Sequence, residues 1–379
     1  MSELPLRGVR VVELGSSIAG PFAALILAQM GAEVIKVEPP VHGDAMRQWG
    51  TPDVSGTTAA FETFNRGKHS VMVDFRDPAA VAQLIDFIAA GADVVLQNLR
   101  PGAAESFGLG AQSLCARNDS LIYCNLGAFG NRGPMAEQPG YDPLMQAFSG
   151  IIHATGEAER DPVRVGVSII DLSTGMWGAI GILGLLVRRM RSGVGGVVDG
   201  SLLESSLTWM SLNFGTLQVT DEVPQRNGLG GPLIAPNGGF QARDGIVMIV
   251  VGTDAQFARL CTVLEMSQLS ADPRFSDTQS RVDNKRELKT LIDAAMRVHD
   301  RSHWVTRLNA ANVPCAPIQD LREATEHPQT QALGLVQQGP DGNFSVLGFP
   351  LSIDGERPGY TQRAPRLDEH AALLSSSSN

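Results

Sequence analysis

The chain has 379 residues, 43% of them hydrophobic and 18% charged, with 41 glycines and 22 prolines. This length predicts two or three domains with a hydrophobic core, and this composition excludes collagen-like, low-complexity and small disulfide-stapled proteins. The formal net charge of −10 argues against general binding to nucleic acid or to an anionic membrane, although a local cluster of cations can still bind a phosphorylated small molecule.

Three further features favour a cytoplasmic protein. The four cysteines, at positions 115, 124, 261 and 315, match no metal or redox spacing, which predicts free thiols in a reducing compartment. The first ten residues lack the apolar core of a secretory signal. The longest apolar run, residues 175–187, is 13 residues long, and because a membrane span needs about 18, this run indicates a buried helix.

Strand-forming and helix-forming segments alternate in the first half of the chain. Residues 9–14 and 33–37 read as strands, and residues 22–30 between them read as a helix. The alternation continues through residues 70–75, 78–90, 92–97 and 121–126. This order predicts an α/β fold with a doubly wound parallel sheet.

The second half predicts a smaller domain and a returning C-terminal segment. Residues 172–190 read as one buried helix that ends at Gly193, and residues 220–239 form a crossing rich in glycine and proline. A strand at residues 245–251 and helices at 254–264, 281–298 and 302–311 then predict an α+β unit. We assign residues 1–219 to a large domain, 220–325 to a small one, and 326–379 to an extended segment that returns to the large domain and ends in a disordered tail from Ser375.

The turn at residues 15–21 joins the first strand to the first helix and offers backbone amides to an anion. It lacks the spacing Gly-x-Gly-x-x-Gly, so a nicotinamide cofactor is poorly supported, and an ordinary βα turn explains these residues equally well. Arg66, Lys68 and Arg100 fall beside strand ends at the same predicted sheet edge. They can neutralise a phosphate group or lie on a solvated face.

Asp171 lies between a largely apolar run and the buried helix. One interpretation is structural, with the carboxylate accepting the free amides at the start of that helix. The other is chemical, with the partly desolvated carboxylate attacking a carbonyl carbon. The seven histidines are scattered, and neither a hydrolase triad nor a metal-ligand spacing is present.

Several blocks in this order resemble CoA-transferase family III, the family of formyl-CoA transferase and carnitine CoA-transferase, which also contains 2-methylacyl-CoA racemases. The blocks are LRGVRVVEL from residue 6, AGP from 19, LAQMGAEVIKVE from 27, GDAMR from 43, FNRGK from 64, NLRPG from 98, GYD from 140, DLSTG from 171, DPRF from 272 and VPCAP from 313. Together they cover nearly the whole chain.

The resemblance implies a Rossmann-like large CoA-binding domain, a smaller domain, and a homodimer of two interlocked rings. It implies coenzyme A, bound as acyl-CoA, and small organic acids as ligands, with no metal, nicotinamide or flavin. Asp171 matches the aspartate that forms an acyl anhydride and then a CoA thioester. The implied CoA contacts are Ser17, Ile18, Ala19, Lys36, Arg66, Lys68, Asn98, Leu99, Arg100, Phe129 and Arg132. The implied substrate and loop residues are Arg47, Tyr141, Gly228, Gly230 and Gly231.

The sequence favours CoA transfer over two other functions, which are racemisation of an acyl-CoA and CoA binding without catalysis. Tyr141 stands where the racemases carry a histidine, and a phenol is a poor base near neutral pH. Ile18 stands where formyl-CoA transferases carry a glutamine, which argues against formate or oxalate as substrates. Arg47 can pair with one carboxylate of a dicarboxylic acid or form a structural ion pair.

Overall fold

A computed structural model of the chain describes residues 3–52 and 57–375. Most of the predicted tail, residues 376–379, lies outside the described part. The chain divides into two compact units, which we call the large unit and the small unit. The large unit comprises Met1–Ile151, Arg164–Thr220 and Pro328–Asn379, and the small unit comprises Ile152–Val163 and Asp221–His327.

The helices and strands follow in chain order. The strands are β1 (Arg10–Leu14), β2 (Glu33–Glu38), β3 (His69–Met72), β4 (Val94–Gln97), β5 (Ile122–Gly127), β6 (Gly196–Ser201), β7 (Asn237–Ala242), β8 (Gly245–Val250), β9 (Cys315–Pro317), β10 (Val336–Gln338) and β11 (Ser345–Leu347). The α-helices are α1 (Ala19–Gln29), α2 (Ala59–Asn65), α3 (Pro78–Gly91), α4 (Ala103–Ser106), α5 (Ala111–Cys115), α6 (Asp142–Phe148), α7 (Ile151–Ala154), α8 (Ile169–Ser192), α9 (Leu202–Trp209), α10 (Ser211–Thr220), α11 (Asp254–Val263), α12 (Thr278–Asp283), α13 (Lys285–Met296), α14 (Arg301–Ala310), α15 (Leu321–Glu326), α16 (Pro328–Ala332) and α17 (Ala372–Ser375).

A six-stranded parallel sheet forms the centre of the large unit, in the order β3-β2-β1-β4-β5-β6. Val12 of β1 lies opposite Ile35 of β2 and Val95 of β4, and all three are fully buried. Apolar clusters cover both faces of these strands, as expected when helices pack on both sides. The predicted α/β fold with a parallel sheet is therefore confirmed.

Helix α8 packs one side on this sheet and leaves the other side exposed. Ile170, Ile182 and Leu186 are buried, whereas Trp177 and Ile180 are about half exposed. The helix ends at Gly193, which has a φ of 74° and whose backbone amide donates a hydrogen bond to the Arg189 carbonyl. This is the expected left-handed cap. By length and composition alone, α8 is the helix among the described residues that qualifies as a bilayer span, but 44% of its apolar window is buried in the chain, and core helices meet the same criterion.

The small unit contains an antiparallel sheet in the order β7-β8-β9, packed against helices around an apolar core. Two local predictions are wrong here. The helix predicted at residues 281–298 is broken at Asn284, whose φ of −103° and ψ of 21° separate α12 from α13. The glycine-rich crossing ends earlier than predicted, because Gly238 and Gly239 belong to β7 and pair with β8.

The C-terminal segment hydrogen-bonds to the first third of the chain within the large unit. The Glu62 carboxylate accepts the Ala364 amide at 2.9 Å and also binds the Tyr360 hydroxyl. The Asp368 amide donates to the Ser70 hydroxyl at 3.1 Å. The C-terminal segment therefore packs on α2 and β3 of the large unit.

Candidate active site

Two loops meet at the carboxyl edge of the parallel sheet. β1 pairs with β2 on one side and β4 on the other, and the chain leaves these central strands in opposite directions. Ligands bind at this position in open α/β sheets. The loop after β1 carries Ser17 and Ile18, and the loop after β4 carries Asn98, Leu99 and Arg100, so the structure brings these five predicted residues to one edge.

The Asn98 side chain joins the two loops. Its Oδ1 accepts the Ser16 amide at 2.8 Å, and its Nδ2 donates to the Ser16 carbonyl at 2.9 Å. Gly20 lies against the same side chain, since a Cβ at this position would be 2.9 Å from Oδ1. Asn98 therefore fixes the shape of the loop through both ends of its amide.

Helix α1 begins at this loop without a side-chain cap. Its N-cap residue is Ile18, which makes no side-chain cap, and among residues 3–52 and 57–375 no side chain accepts the amides of its first turn. Ser17 adopts a φ of 65°, in the left-handed region, and turns the chain into the helix. The amides at Ala19 and Gly20 thus lie at the positive end of a helix dipole, without a side-chain acceptor in the described part of the chain.

A cleft of about 300 Å³ lies at the same sheet edge and is lined by residues at the carboxyl ends of β4, β5 and β6 and in the segments that follow these strands. Arg100 supplies one cation, and Glu105, Glu137, Asp199 and Glu204 supply carboxylates. Because the carboxylates outnumber the cation, phosphate groups are favoured at the Arg100 rim rather than deeper in the cleft. Arg100 itself is exposed.

Lys36 and Lys68 are fully buried, and their ammonium groups pair with carboxylates of the chain itself. The prediction that they contact CoA does not fit this placement, because both ammonium groups are fully buried against acceptors of the chain itself. The sequence indicated cations beside the loops, but it did not show that Glu13 and Asp44 bind them.

Arg66 and Arg47 are also committed to partners. The Arg66 guanidinium is buried and donates to the carbonyls of Thr63 and Leu347, the latter at 3.2 Å, and burial lowers its pKa. Arg47 binds both oxygens of Glu38, at 2.7 and 2.6 Å, and lies over the Phe61 ring. Of the two interpretations of Arg47, the structure shows the ion pair, which leaves no free fork for a substrate carboxylate.

Phe129 and Arg132 lie after β5 at the same edge. The Phe129 ring is half-buried and contacts the Phe148 ring edge to face at 5.5 Å, whereas Arg132 is exposed. Phe129 also packs in the apolar cluster that contains Ala19 and Ile170. This cluster joins the start of α1 to the first turn of α8.

Asp171 lies in that first turn of α8. Its carboxylate is half-buried and accepts no hydrogen bond from any described residue. Burial, and after it the negative charge of Asp142, raises the pKa of Asp171 to about 7. The raised pKa means that the surroundings stabilise the ionised carboxylate poorly. A poorly stabilised carboxylate is more reactive toward an electrophile.

The cap of α8 comes from a different carboxylate, Asp142. Its buried Oδ2 accepts the amides of Ile170 and Asp171 at 2.7 and 3.2 Å. Its Oδ1 accepts the Gln146 side chain at 2.6 Å, and Gln146 in turn accepts the Val165 amide. The structural interpretation of Asp171 as a helix cap is therefore wrong, because Asp142 fills that role.

Close packing brings α8 against α1. A Cβ at Gly175, one turn after Asp171, would lie 2.7 Å from the Ala19 carbonyl oxygen and 3.1 Å from the Ala23 amide nitrogen. Only glycine allows this approach. The turn that carries Asp171 thus packs beside the start of α1, where the candidate anion-binding amides lie.

The remaining predicted residues are held in different ways. The Tyr141 side chain is 61% exposed and directly precedes the buried Asp142. Gly228, at φ 56°, and Gly231 lie in the small unit, where their amides donate to backbone carbonyls of the same unit. Gly230 and Gly231 line a cavity of about 870 Å³ within that unit, whereas Gly228 does not.

Sequence reasoning assigned no role to Asp142, Gln146, Glu13 or Asp44. The first two carried a usable signal, since an aspartate followed by proline and, four residues on, by glutamine is typical of a helix start with an (i, i+4) side-chain bond. Glu13 carried none, because its partners Lys36 and Lys68 are 23 and 55 residues away. Asp44 carried only the local signal of an aspartate that accepts the Met46 amide, which does not indicate its ion pair with Lys36. Over residues 3–52 and 57–375, no group of three or more metal-ligating side chains occurs.

Comparison with known proteins identifies the class. The model of CoA-transferase family III matches residues 6–371. The acetyl-CoA:oxalate CoA-transferase of Acetobacter aceti is 36% identical over 98% of this chain and 95% of its own length, and the succinate–glutarate CoA-transferase of Agrobacterium fabrum is 34% identical over 98% and 94%. A crystal structure of a CAIB/BAIF family protein from Brucella suis superposes with a TM-score of 0.88, at 34% identity and 98% coverage of both chains. The protein belongs to CoA-transferase family III.

Proposed function

We propose that the protein transfers CoA from an acyl-CoA donor to a small carboxylic acid, with Asp171 as the nucleophile. One observation carries this proposal. The Asp171 carboxylate has no hydrogen-bond partner among the described residues, and the helix amides that it would otherwise cap are taken by Asp142. A carboxylate kept free in a half-buried position beside a candidate anion site is suited to attack a thioester.

The reaction proceeds through covalent intermediates on one side chain. A carboxylate oxygen of Asp171 attacks the thioester carbonyl carbon, the C–S bond breaks, and CoA leaves as a thiolate. The thiolate then attacks the Asp171 carbonyl of the anhydride, which releases the donor acid and leaves an enzyme-CoA thioester. The acceptor carboxylate attacks the carbonyl carbon of this thioester, so that CoA leaves again as a thiolate and a second anhydride joins Asp171 to the acceptor acid. The thiolate then attacks the acceptor carbonyl of this anhydride, which releases the new acyl-CoA and regenerates the Asp171 carboxylate. Each step conserves an activated acyl bond, so no ATP is consumed.

Two groups of residues are suited to hold the CoA moiety. The uncapped amides at the start of α1 favour an anion, and the exposed Arg100 and Arg132 are free to reach phosphate groups. Asn98 orders the loop between them. We therefore retain Ser17, Ile18, Ala19, Leu99, Arg100, Phe129 and Arg132 as proposed CoA contacts.

A small dicarboxylic acid is the proposed acceptor. The relatives above are named for oxalate and glutarate, and another, from Chloroflexus aurantiacus, is named for citramalate. Because Arg47 is bound to Glu38, it does not supply the cation for the second carboxylate. Racemisation, the alternative, has no specific support in the site, since the exposed Tyr141 replaces the expected base.

A homodimer is also proposed, on the resemblance and on one surface feature. Helix α10 has no buried residue, and Leu212, Phe214 and Val219 on it are 60 to 86% exposed. A second copy of the chain would cover these side chains, as large exposed apolar surfaces usually mark interfaces. Light scattering coupled to gel filtration tests this, and a monomer at micromolar concentration would contradict it.

Chemical trapping tests the mechanism. Purified protein is mixed with succinyl-CoA or acetyl-CoA and a panel of acids that includes oxalate and glutarate, and product acyl-CoA is followed by mass spectrometry. Borohydride or hydroxylamine is added during turnover, and peptide mapping is expected to locate the modification at Asp171. The Asp171→Ala variant should bind CoA yet neither transfer nor be labelled. Rapid exchange without a label at Asp171, or with a label elsewhere, would overturn the mechanism.

A further inference from the structure

Four buried charged side chains lie beneath the loop between β1 and α1, and the proposed reaction uses none of them. Glu13, Lys36, Asp44 and Lys68 are each 2% exposed or less. Two positive and two negative charges balance within this group, which we call the charge cluster. Because burial of an ion is costly unless partners satisfy it, the arrangement of those partners shows what the cluster holds in place.

Lys36 anchors the beginning of the loop. Its Nζ lies 2.7 Å from Glu13 Oε1 and 2.8 Å from Asp44 Oδ2. It also donates to the carbonyl of Gly15, the first loop residue, at 2.9 Å. The ammonium is thus held by two hydrogen bonds and one further ion pair, all within the protein.

Lys68 anchors the end of the same loop in the same way. Its Nζ lies 2.7 Å from Glu13 Oε2 and 3.0 Å from Asn65 Oδ1. Its third hydrogen goes to the carbonyl of Pro21, in the first turn of α1, at 2.9 Å. Burial lowers the pKa of Lys68 to about 8 against the attraction of Glu13, so the ammonium is still charged at neutral pH.

Asp44 holds the middle of the loop. Its Oδ1 accepts the Ser17 amide at 3.2 Å and the Ser16 hydroxyl at 3.4 Å. Ser17 is the residue in the left-handed conformation, which is unfavourable for a side chain other than glycine and persists only where the surroundings enforce it. The strained residue thus lies between the two lysine anchors.

We infer that the charge cluster is a set of positioning residues for the CoA site, with Lys36 and Lys68 holding the two ends of the Gly15–Pro21 loop and Asp44 its centre. This inference rests on the proposed function, since it takes the amides and side chains of this loop as CoA contacts. It assigns to the two lysines a role without ligand contact. Their loss acts on CoA binding through loop order, and not through removal of a charge from the phosphates.

The test variants are chosen by the number of positive and negative charges that each leaves in the charge cluster. Lys68→Met leaves Glu13 and Asp44 opposite Lys36 alone, with one buried negative charge unmatched. The double variant Glu13→Gln/Lys68→Met restores one negative and one positive charge but still lacks the bond to the Pro21 carbonyl. Lys289→Met is the matched control, because this lysine is about half exposed and bonds within the small unit.

Two measurements are made on each purified variant. Amide hydrogen exchange, followed by mass spectrometry without any ligand, reports the order of residues 15–22. Steady-state kinetics at about 50 and 300 mM salt, a range over which exposed charges are increasingly screened, gives KM and kcat for the donor.

For Lys68→Met we expect exchange in this segment and donor KM both to rise about tenfold or more, while kcat stays within about threefold. The ratio of variant KM to wild-type KM should be the same at both salt concentrations. The double variant should show smaller increases of both, about threefold, because no unmatched charge remains.

Several outcomes would overturn the inference. One is amide exchange in residues 15–22 that is no faster in Lys68→Met and in the double variant than in the Lys289→Met control. Another is a KM increase that shrinks at high salt while exchange stays unchanged, which would show direct phosphate contact. If Lys68→Met does not fold, the double variant decides, and wild-type exchange and KM there would refute the role. The exchange experiment needs no turnover, so a protein that transfers no CoA would refute the proposed function while still testing the charge cluster.

Discussion

The Asp142 carboxylate accepts the backbone amide of Asp171 at 3.2 Å, so the buried side chain of Asp142 fixes the backbone of Asp171. This contact fixes the first turn of α8 and places a negative charge beside Asp171, the proposed nucleophile. Burial, and after it this charge, raises the pKa of Asp171 to about 7. The position and the pKa of Asp171 therefore depend on the same neighbour, Asp142.

The donor half-reaction should slow in acid. In the proposed mechanism Asp171 attacks only as a carboxylate, and its pKa of about 7 in the free protein places the acid limb of kcat/KM near neutrality. Well below that pH, kcat/KM should fall about tenfold per pH unit. Thiol release from the donor, measured between pH 5 and 9, checks this, and a profile that stays flat down to pH 5 would contradict it.

Replacement of Asp142 separates its two effects. Asp142→Asn keeps an acceptor for the helix amides but removes the charge, so the acid limb should move to lower pH by up to about one unit. Asp142→Ala also removes the cap and should lower the free energy of unfolding by about 1–2 kcal/mol.

The matched control for Asp142 is Asp277→Ala, which removes a capping aspartate from α12 in the small unit. It should lower the free energy of unfolding without moving the acid limb. An acid limb that stays in place in Asp142→Asn would show that the charge of Asp142 does not reach the nucleophile.

Asp171 should lower the stability of the folded protein above neutral pH. Its folded pKa of about 7 lies above its ordinary value, so the folded state retains a proton that the unfolded chain has lost, and stability falls as pH rises toward 7. Asp171→Asn should therefore be more stable than wild type at pH 8, by about 1–3 kcal/mol, with a smaller difference at pH 5. Calorimetry at both pH values tests this, with the exposed Asp86→Asn as control. A variant that is less stable at pH 8 would contradict the raised pKa.

The sequence predicted the fold much more completely than it predicted the contacts of individual site residues. Strand and helix periodicity located β1, α1 and β2 to within a few residues, because each element is encoded locally. The roles of Lys36 and Asp171 depend on partners 23 and 29 residues away, Glu13 and Asp142, which no local pattern specifies. For this reason two buried lysines were predicted as ligand contacts, and the carboxylate that caps α8 was not identified.

The two classes of arginine at the predicted CoA site should respond differently to replacement. Arg100 is exposed at the rim of the cleft, so Arg100→Met should raise donor KM about tenfold at low salt, and less at high salt, with little change in kcat. Arg66 is buried against backbone carbonyls, so Arg66→Met should lower the unfolding free energy by about 2 kcal/mol or more, since those carbonyls lose their donors. Kinetics and denaturant unfolding on both variants test this contrast. A loss of stability in Arg100→Met together with a salt-dependent rise of KM in Arg66→Met would contradict it.

Gly175 controls how closely α8 approaches α1. In Gly175→Ala the new methyl group would meet the Ala19 carbonyl oxygen at 2.7 Å, and because that atom belongs to the backbone, the helices must separate. We expect a loss of about 1–3 kcal/mol in unfolding free energy, and a lower kcat because Asp171 moves relative to the start of α1. Gly184→Ala, on the same helix with open space around it, is the control and should stabilise the protein by up to about 1 kcal/mol. If both variants are equally stable and active, close packing at Gly175 does not position the nucleophile.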